Sequence, residues 1–167
     1  MPTIRPATPN DIPAITEIYN EAIIYTRNTF DTVPKTVADR EEWYHQHMPA
    51  YPILVVEDNG EVVGFASVSK WSDRPAYGRT VIASEYIRQD YRGQGIGKAL
   101  LVALLEAAYA AGYHTVMGNV YAGNEVSRRM VESIGFRTVG LLKEVGYKFD
   151  EWLDVYLVQH MKPPGNL

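Results

Sequence analysis

The run Asp90-Tyr91-Arg92-Gly93-Gln94-Gly95-Ile96-Gly97-Lys98 carries the strongest chemical signal in the chain. Three glycines at the start of a helical pattern leave backbone N–H groups uncovered. The helix end adds partial positive charge, and Arg92 and Lys98 add full charges. Together they form a seat for an anion, above all a phosphate. A phosphate seat built on one short motif implies a nucleotide-like ligand.

Two phosphate loops fail on spacing. The NTPase loop needs Gly-x-x-x-x-Gly-Lys-Ser/Thr, whereas Gly97-Lys98 is followed by Ala99 and lacks the earlier glycine. The dinucleotide fingerprint Gly-x-Gly-x-x-Gly belongs to an early βαβ unit, whereas Gly93, Gly95 and Gly97 have another spacing and sit mid-chain. A third pattern, Arg/Gln-x-x-Gly-x-Gly/Ala, is met by Arg92, Gly95 and Gly97.

The 167 residues suit one domain, 1–167, with a real core. A net charge of −4 without a basic run argues against nucleic acid as a partner. The absence of cysteine excludes disulfides, thiolate zinc sites and a cysteine nucleophile. No His/Asp/Glu cluster has metal-ligand spacing, so no metal is expected. No apolar run approaches the roughly 20 residues that cross a bilayer, and Met1 to Pro6 lacks a signal core. The expectation is a cytoplasmic protein that does not engage the membrane.

These residues need elements to hold them. Thr3 to Arg5 reads as a strand, and Ile12, Ile15, Ile18, Tyr19, Ala22 and Ile23 as the face of a helix ending near Tyr25. A loop to Lys35 precedes a second helix from Thr36, stopped by Pro49. Ile53 to Glu57 and Val62 to Lys70 form a hairpin about Asp58-Asn59-Gly60. Arg79 to Ile87 is a strand feeding the glycine loop. A helix from about Gly95 to Ala111 follows, with Leu100, Leu101, Leu104 and Leu105 in its buried stripe. Thr115 to Tyr121 is a strand, Asn124 caps a helix to Ser133, and Phe136 to Val145 and Trp152 to Gln159 are the last strands. Residues 162–167 read as a tail. The order β-α-α-β-β-β-α-β-α-β-β defines a mixed α+β fold.

The glycine pattern and this element order resemble the GNAT superfamily of acetyl-CoA-dependent N-acetyltransferases across nearly the whole chain. Further stretches resemble its phosphinothricin and methionine sulfone/sulfoximine acetyltransferase branch: Ala14 to Asn20, Arg40 with Trp43, Tyr51 to Val55, Gly64 to Ser67, Arg74 to Tyr77, Gly146 to Phe149 and Trp152 to Val155. The resemblance implies a mixed, mostly antiparallel sheet, acetyl-CoA as co-substrate, a small amino-acid-like amine as acceptor, and a homodimer.

By the same resemblance, the backbone of Glu85, Tyr86 and Ile87 aligns the acetyl group and pantetheine. Arg92, Gly93, Gln94, Gly95, Ile96, Gly97 and Lys98 take the pyrophosphate, and Asn124 meets the pantetheine arm. Phe30, Trp71, Arg74 and Tyr77 are the acceptor-pocket candidates, Arg74 for a carboxylate. Acetyl transfer needs a neutral amine, a polarised carbonyl and a protonated leaving thiolate. Two usual proton-moving positions are rewritten: the branch's fourth-strand glutamate is Ile82, and the Tyr or His of the following helix is Val131. A His of some members, near the last turn, corresponds to Phe149. Glu85 and Tyr121 are the substitute candidates, with Tyr86 and water chains as further routes. In a regular strand Glu85 faces away from Ile82, Ser84 and Tyr86 unless a bulge re-aims it. Three readings follow: an amino-acid N-acetyltransferase, an N-acetyltransferase for another amine (polyamine, aminoglycoside or peptide N-terminus), or an acyl-CoA-binding module with altered catalysis.

Overall fold

Strands β2 (Ile53–Asp58) and β3 (Glu61–Lys70) are apolar on both faces, and both faces are used. Ile53, Val55 and Phe65 join one core; Leu54, Val56, Ala66 and Val68 join another. Such strands require a sheet covered on each side. The computed structural model, described over residues 1–164, supplies it. One seven-stranded sheet runs β1-β2-β3-β4-β5-β7-β6. It adds β1 (Thr3–Pro6), β4 (Thr80–Ile87), β5 (Thr115–Tyr121), β6 (Arg137–Lys148) and β7 (Glu151–Met161). Every neighbouring pair is antiparallel except β4–β5. This is the expected mixed, mostly antiparallel sheet in the expected α+β element order. The last part of the expected tail, residues 165–167, lies outside the described residues.

Helices α1 (Ile12–Tyr25) and α2 (Val37–His47) cover one face. Thr36 opens α2 with a reciprocal cap: its hydroxyl accepts from Asp39 N–H at 3.1 Å, and the Asp39 carboxylate accepts from Thr36 N–H at 2.8 Å. Helix α3 (Ile96–Ala110) covers the other face, with Leu100 and Leu104 fully buried one turn apart. Each such side chain contributes roughly 1.5–3 kcal/mol of burial energy, which fixes the helix whose first turn matters below. Helix α4 (Glu125–Ser133) adds Val131 to the same core.

One boundary differs from the sequence reading. The last two strands were expected over 136–145 and 152–159, but they form a longer hairpin closed by Phe149-Asp150 alone. Both turn residues have positive φ, 53° and 60°. Asn and Gly usually supply that conformation, so Phe-Asp gave no turn signal.

Candidate active site

Strands β4 and β5 pair for only four residues, from Thr80 opposite Thr115 to Ala83 opposite Gly118. Beyond that they part. β4 stays paired to β3 out to Ile87 opposite Gly64, and β5 to β7 out to Tyr121 opposite Val155. The facing edges of Ser84–Ile87 and Asn119–Tyr121 therefore have no strand between them. They border a cleft of about 830 Å³ that extends to the first turn of α3 and to α4. Open strand edges offer N–H and C=O groups to an extended, amide-bearing ligand.

The glycine loop forms one end of the cleft. Gly93 and Gly95 hold φ of 76° and 80°. A β-carbon on either would meet nothing within 4 Å, so glycine is needed there for backbone conformation and not for space. Gly95 caps α3, and the first bond into the helix is Ala99 N–H to Gly95 C=O at 3.2 Å. The N–H groups of Ile96, Gly97 and Lys98 precede it and have no acceptor within the helix, at the place where the sequence led us to expect an anion. Arg92 Nε donates to Ile87 C=O at 3.0 Å, bracing the loop against β4. Arg92, Gly93, Gly95, Gly97 and Lys98 border the cleft. The Ile96 side chain is in the core, and Gln94 turns back to donate to Asp90 C=O at 3.4 Å, so these two offer the ligand only backbone.

The β3–β4 register is regular from Gly64–Ile87 to Lys70–Val81, so no bulge re-aims Glu85. Tyr86 faces Tyr19 and Phe65, with ring centroids 5.1 and 5.4 Å away. Glu85 faces the opposite side, against Gly97 at the start of α3. The residue borders the cleft and is half-buried overall, but its Oε2 is shut off from solvent without a partner. That desolvation pushes the carboxyl up to about 8. Ile82 and Val131 also border the cleft, and neither side chain can move a proton. Tyr121 borders it from β5, its ring against Gly123. Asn124 accepts from Ser127 N–H at 3.0 Å, capping α4, and donates from Nδ2 to Asn28 Oδ1 at 2.9 Å. It also borders the cleft, so cap and ligand-facing positions coincide.

The α1–α2 loop is pinned over the sheet. Lys148 Nζ donates to the carbonyls of Thr26 and Thr29, both at 2.8 Å. The Phe30 ring covers Gly146, where a β-carbon would sit 2.3 Å from Cε2, and Phe30 borders the cleft as expected. Trp71, Arg74 and Tyr77 do not. Their loop closes the end of the hairpin where Lys70 faces Val81 and β4 is still bonded to β5. Arg74 and Tyr77 are exposed, and none of the three borders the cleft or the cavity described next.

A second cavity, about 620 Å³, lies on the α1–α2 side, bordered by Tyr19, Asp31, Arg40, Trp43, Ser67, Ser69, Ser84 and Tyr86 among others. Ser84 and Tyr86 border both spaces, so only β4 lies between them there. The sequence reading assigned no role to Asp31 or Arg40. The available signal was an arginine one helical turn before Tyr44, on the buried stripe of α2.

Among the described residues no group of three or more His, Cys, Asp or Glu is placed to hold a metal ion, and no helix is long and apolar enough to cross a membrane. A split parallel strand pair ending at a glycine-capped helix defines an acyl-CoA-dependent transferase architecture. Residues 14–136 match the acetyltransferase (GNAT) family, and the chain belongs to that family of N-acetyltransferases. It is 38% identical to an L-methionine sulfoximine/L-methionine sulfone acetyltransferase of Pseudomonas aeruginosa, over 94% of this chain and 92% of that one. It is 34% identical to a phosphinothricin N-acetyltransferase of Streptomyces coelicolor, over 91% of each. The crystal structure of a GNAT superfamily phosphinothricin acetyltransferase from Sinorhizobium meliloti in complex with acetyl-CoA superposes with a TM-score of 0.92 at 32% identity, covering 96% of this chain and 88% of that one.

Proposed function

We propose that this chain, as one domain over 1–167, transfers the acetyl group of acetyl-CoA to the amine of a small amino-acid-like acceptor. The observation that carries the reading is the parting of β4 from β5 after Ala83 and Gly118, directly ahead of the Gly93–Lys98 loop. Free strand edges suit the amides of a pantetheine arm, and the uncovered N–H groups of α3 suit a diphosphate. Acetyl-CoA supplies an activated acetyl thioester. The chain's own residues then hold and orient it: the β4 backbone at Glu85, Tyr86 and Ile87, the loop with Arg92 and Lys98, and Asn124 at α4.

The acceptor enters from the opposite side, through the cavity that shares Ser84 and Tyr86 with the cleft. The acceptor class is supported by the relatives named for methionine sulfone, methionine sulfoximine and phosphinothricin. Of the two acid/base candidates, Tyr121 takes the proton-donating role at the leaving sulfur. The Glu85 carboxyl is directed at the start of α3 and away from the acceptor cavity, so it belongs to the cofactor side. The protein is further read as cytoplasmic and homodimeric. The exposed apolar residues of the β6–β7 hairpin, Leu141, Tyr147 and Trp152, support a second copy as its cover.

The test is thiol release from acetyl-CoA across phosphinothricin, methionine sulfone, methionine sulfoximine and spermidine. Turnover of the amino acids is expected. Turnover of spermidine alone transfers the reading to polyamines. Acetyl-CoA binding without turnover of any amine replaces it with an acyl-CoA-binding module, the outcome that Ile82 and Val131 would then explain.

A further inference from the structure

Arg40 is a buried cation whose side chain has no hydrogen-bond or ion-pair partner among the described residues. It is 6% exposed, on the inner stripe of α2. Aromatic rings cover its guanidinium: Cζ lies 3.7 Å from the Trp43 ring centroid, 4.5 Å from Tyr19 and 5.6 Å from Phe65. Rings satisfy the faces of a guanidinium, not the five N–H donors around its edge. Among the described residues its side chain makes no hydrogen bond or ion pair, and Nε is fully buried and unpartnered. Asp31 is close enough to act on Arg40 electrostatically, yet it accepts instead from the Tyr19 hydroxyl and stands outside ion-pair distance. Burial pushes Arg40 down to about 10, so it remains a cation at neutral pH.

An orphaned buried charge costs several kcal/mol, and natural interiors pair such groups. Arg40 borders the acceptor-side cavity with Ser67, Ser69 and Ser84, and that cavity shares Ser84 and Tyr86 with the cofactor cleft. An anionic group arriving there would complete Arg40. The same cavity carries Asp31, Asp39 and Glu42, but Asp31 accepts from the Tyr19 hydroxyl, Asp39 from the Thr36 N–H, and Asp39 and Glu42 are exposed, so Arg40 is the buried charge that a ligand would meet.

We propose that Arg40 is the receptor for the acceptor's α-carboxylate, with the acceptor's amine lying toward Ser84 and Tyr86. This rests on the functional reading above and moves the carboxylate-binding role from Arg74 to Arg40. A guanidinium fork serves a carboxylate better than an ammonium does, so Lys at this position is not an equivalent.

The experiment compares methionine sulfone with its decarboxylated analogue, 3-(methylsulfonyl)propylamine, in the full-length wild type and Arg40→Lys. Wild-type kcat/KM should favour the amino acid at least a hundredfold. Arg40→Lys should cut that preference at least tenfold, through KM for the acceptor, with acetyl-CoA affinity within twofold. Equal kcat/KM for the two amines in the wild type overturns the proposal without any variant, and so does an unchanged preference in Arg40→Lys. If neither amine is turned over, calorimetry with N-acetylmethionine sulfone in the presence of CoA decides. Binding lost in Arg40→Lys upholds the anion site while the transferase reading fails, whereas no wild-type binding overturns the site as well.

Discussion

The carboxyl oxygens of Glu85 lie 3.4 and 3.5 Å from where a β-carbon on Gly97 would sit, so an acid on β4 packs directly against the first turn of α3. This puts a titratable group beneath the loop proposed to receive the diphosphate. Burial raises its folded-state value from 4.5 to about 8. Between those values the unfolded chain has lost the proton while the folded chain keeps it. Stability therefore falls as pH rises through that window and levels off above about 8. The size is on the order of 3 kcal/mol, after some offset by the positive end of α3. Urea unfolding at pH 5 and pH 8.5 should show this loss in the wild type and not in Glu85→Gln. Parallel pH dependences would remove Glu85 as its source.

The first two glycines of the loop, Gly93 and Gly95, work by backbone conformation, and the third, Gly97, lies against Glu85. Gly95, at φ 80°, would be strained by any side chain at a cost of roughly 1–2 kcal/mol. A β-carbon on Gly97 would meet only the flexible Glu85 carboxyl, at ordinary contact distance. Gly95→Ala should weaken acetyl-CoA binding at least tenfold by calorimetry. Gly97→Ala should change it less than threefold. The reverse order would mean that the seat does not depend on the left-handed turn.

The glycine loop, the cap at Asn124 and the apolar stripes were legible because each is a local pattern. Three consecutive N–H groups at a helix start follow from Gly93 to Lys98 alone, and the stripe from Leu100 to Leu105 fixes where the helix packs. The facing of Glu85 was also legible, since strand alternation holds wherever no bulge intervenes. The cavity beside α1 and α2 was not. It is assembled from Asp31, Arg40, Ser67 and Ser84, four different segments, and no local pattern in any one of them reports that they come together. The 71–77 loop drew attention by its Trp, Arg and Tyr content, but its position depends on how far β4 stays paired to β5, which periodicity does not report.

Strand β6 is an edge of the sheet, and its hairpin exposes Trp152 (64%), Tyr147 (56%) and Leu141 (46%). Tyr147 and Trp152, paired across the two strands, pack in a tilted arrangement with centroids 4.9 Å apart and so form one exposed aromatic pair. An edge of this kind normally finds a cover. If a second copy is that cover, Trp152→Glu should convert the dimer to a monomer in sedimentation velocity without changing the folding midpoint by more than a few degrees. A wild-type monomer at micromolar concentration would dismiss the dimer outright.

Acetyl transfer leaves a thiolate that needs a proton, and the apolar Val131 cannot give one. Tyr121 stands at the mouth of the split between β4 and β5, on the strand facing Glu85 and Tyr86, and it borders the cleft. Its hydroxyl can donate where a phenylalanine cannot. General-acid assistance is typically worth 10²–10⁴-fold, and water replaces part of it in an open cleft. Tyr121→Phe should therefore lower kcat by about 10- to 100-fold, with acetyl-CoA affinity within twofold because the ring is kept. The deficit should shrink for an acetyl thioester of a more acidic thiol, whose leaving group needs the proton less. A kcat within twofold of wild type would return the proton to water or to Tyr86, and a deficit that persists with the better leaving group would make the hydroxyl an orienting group and not an acid.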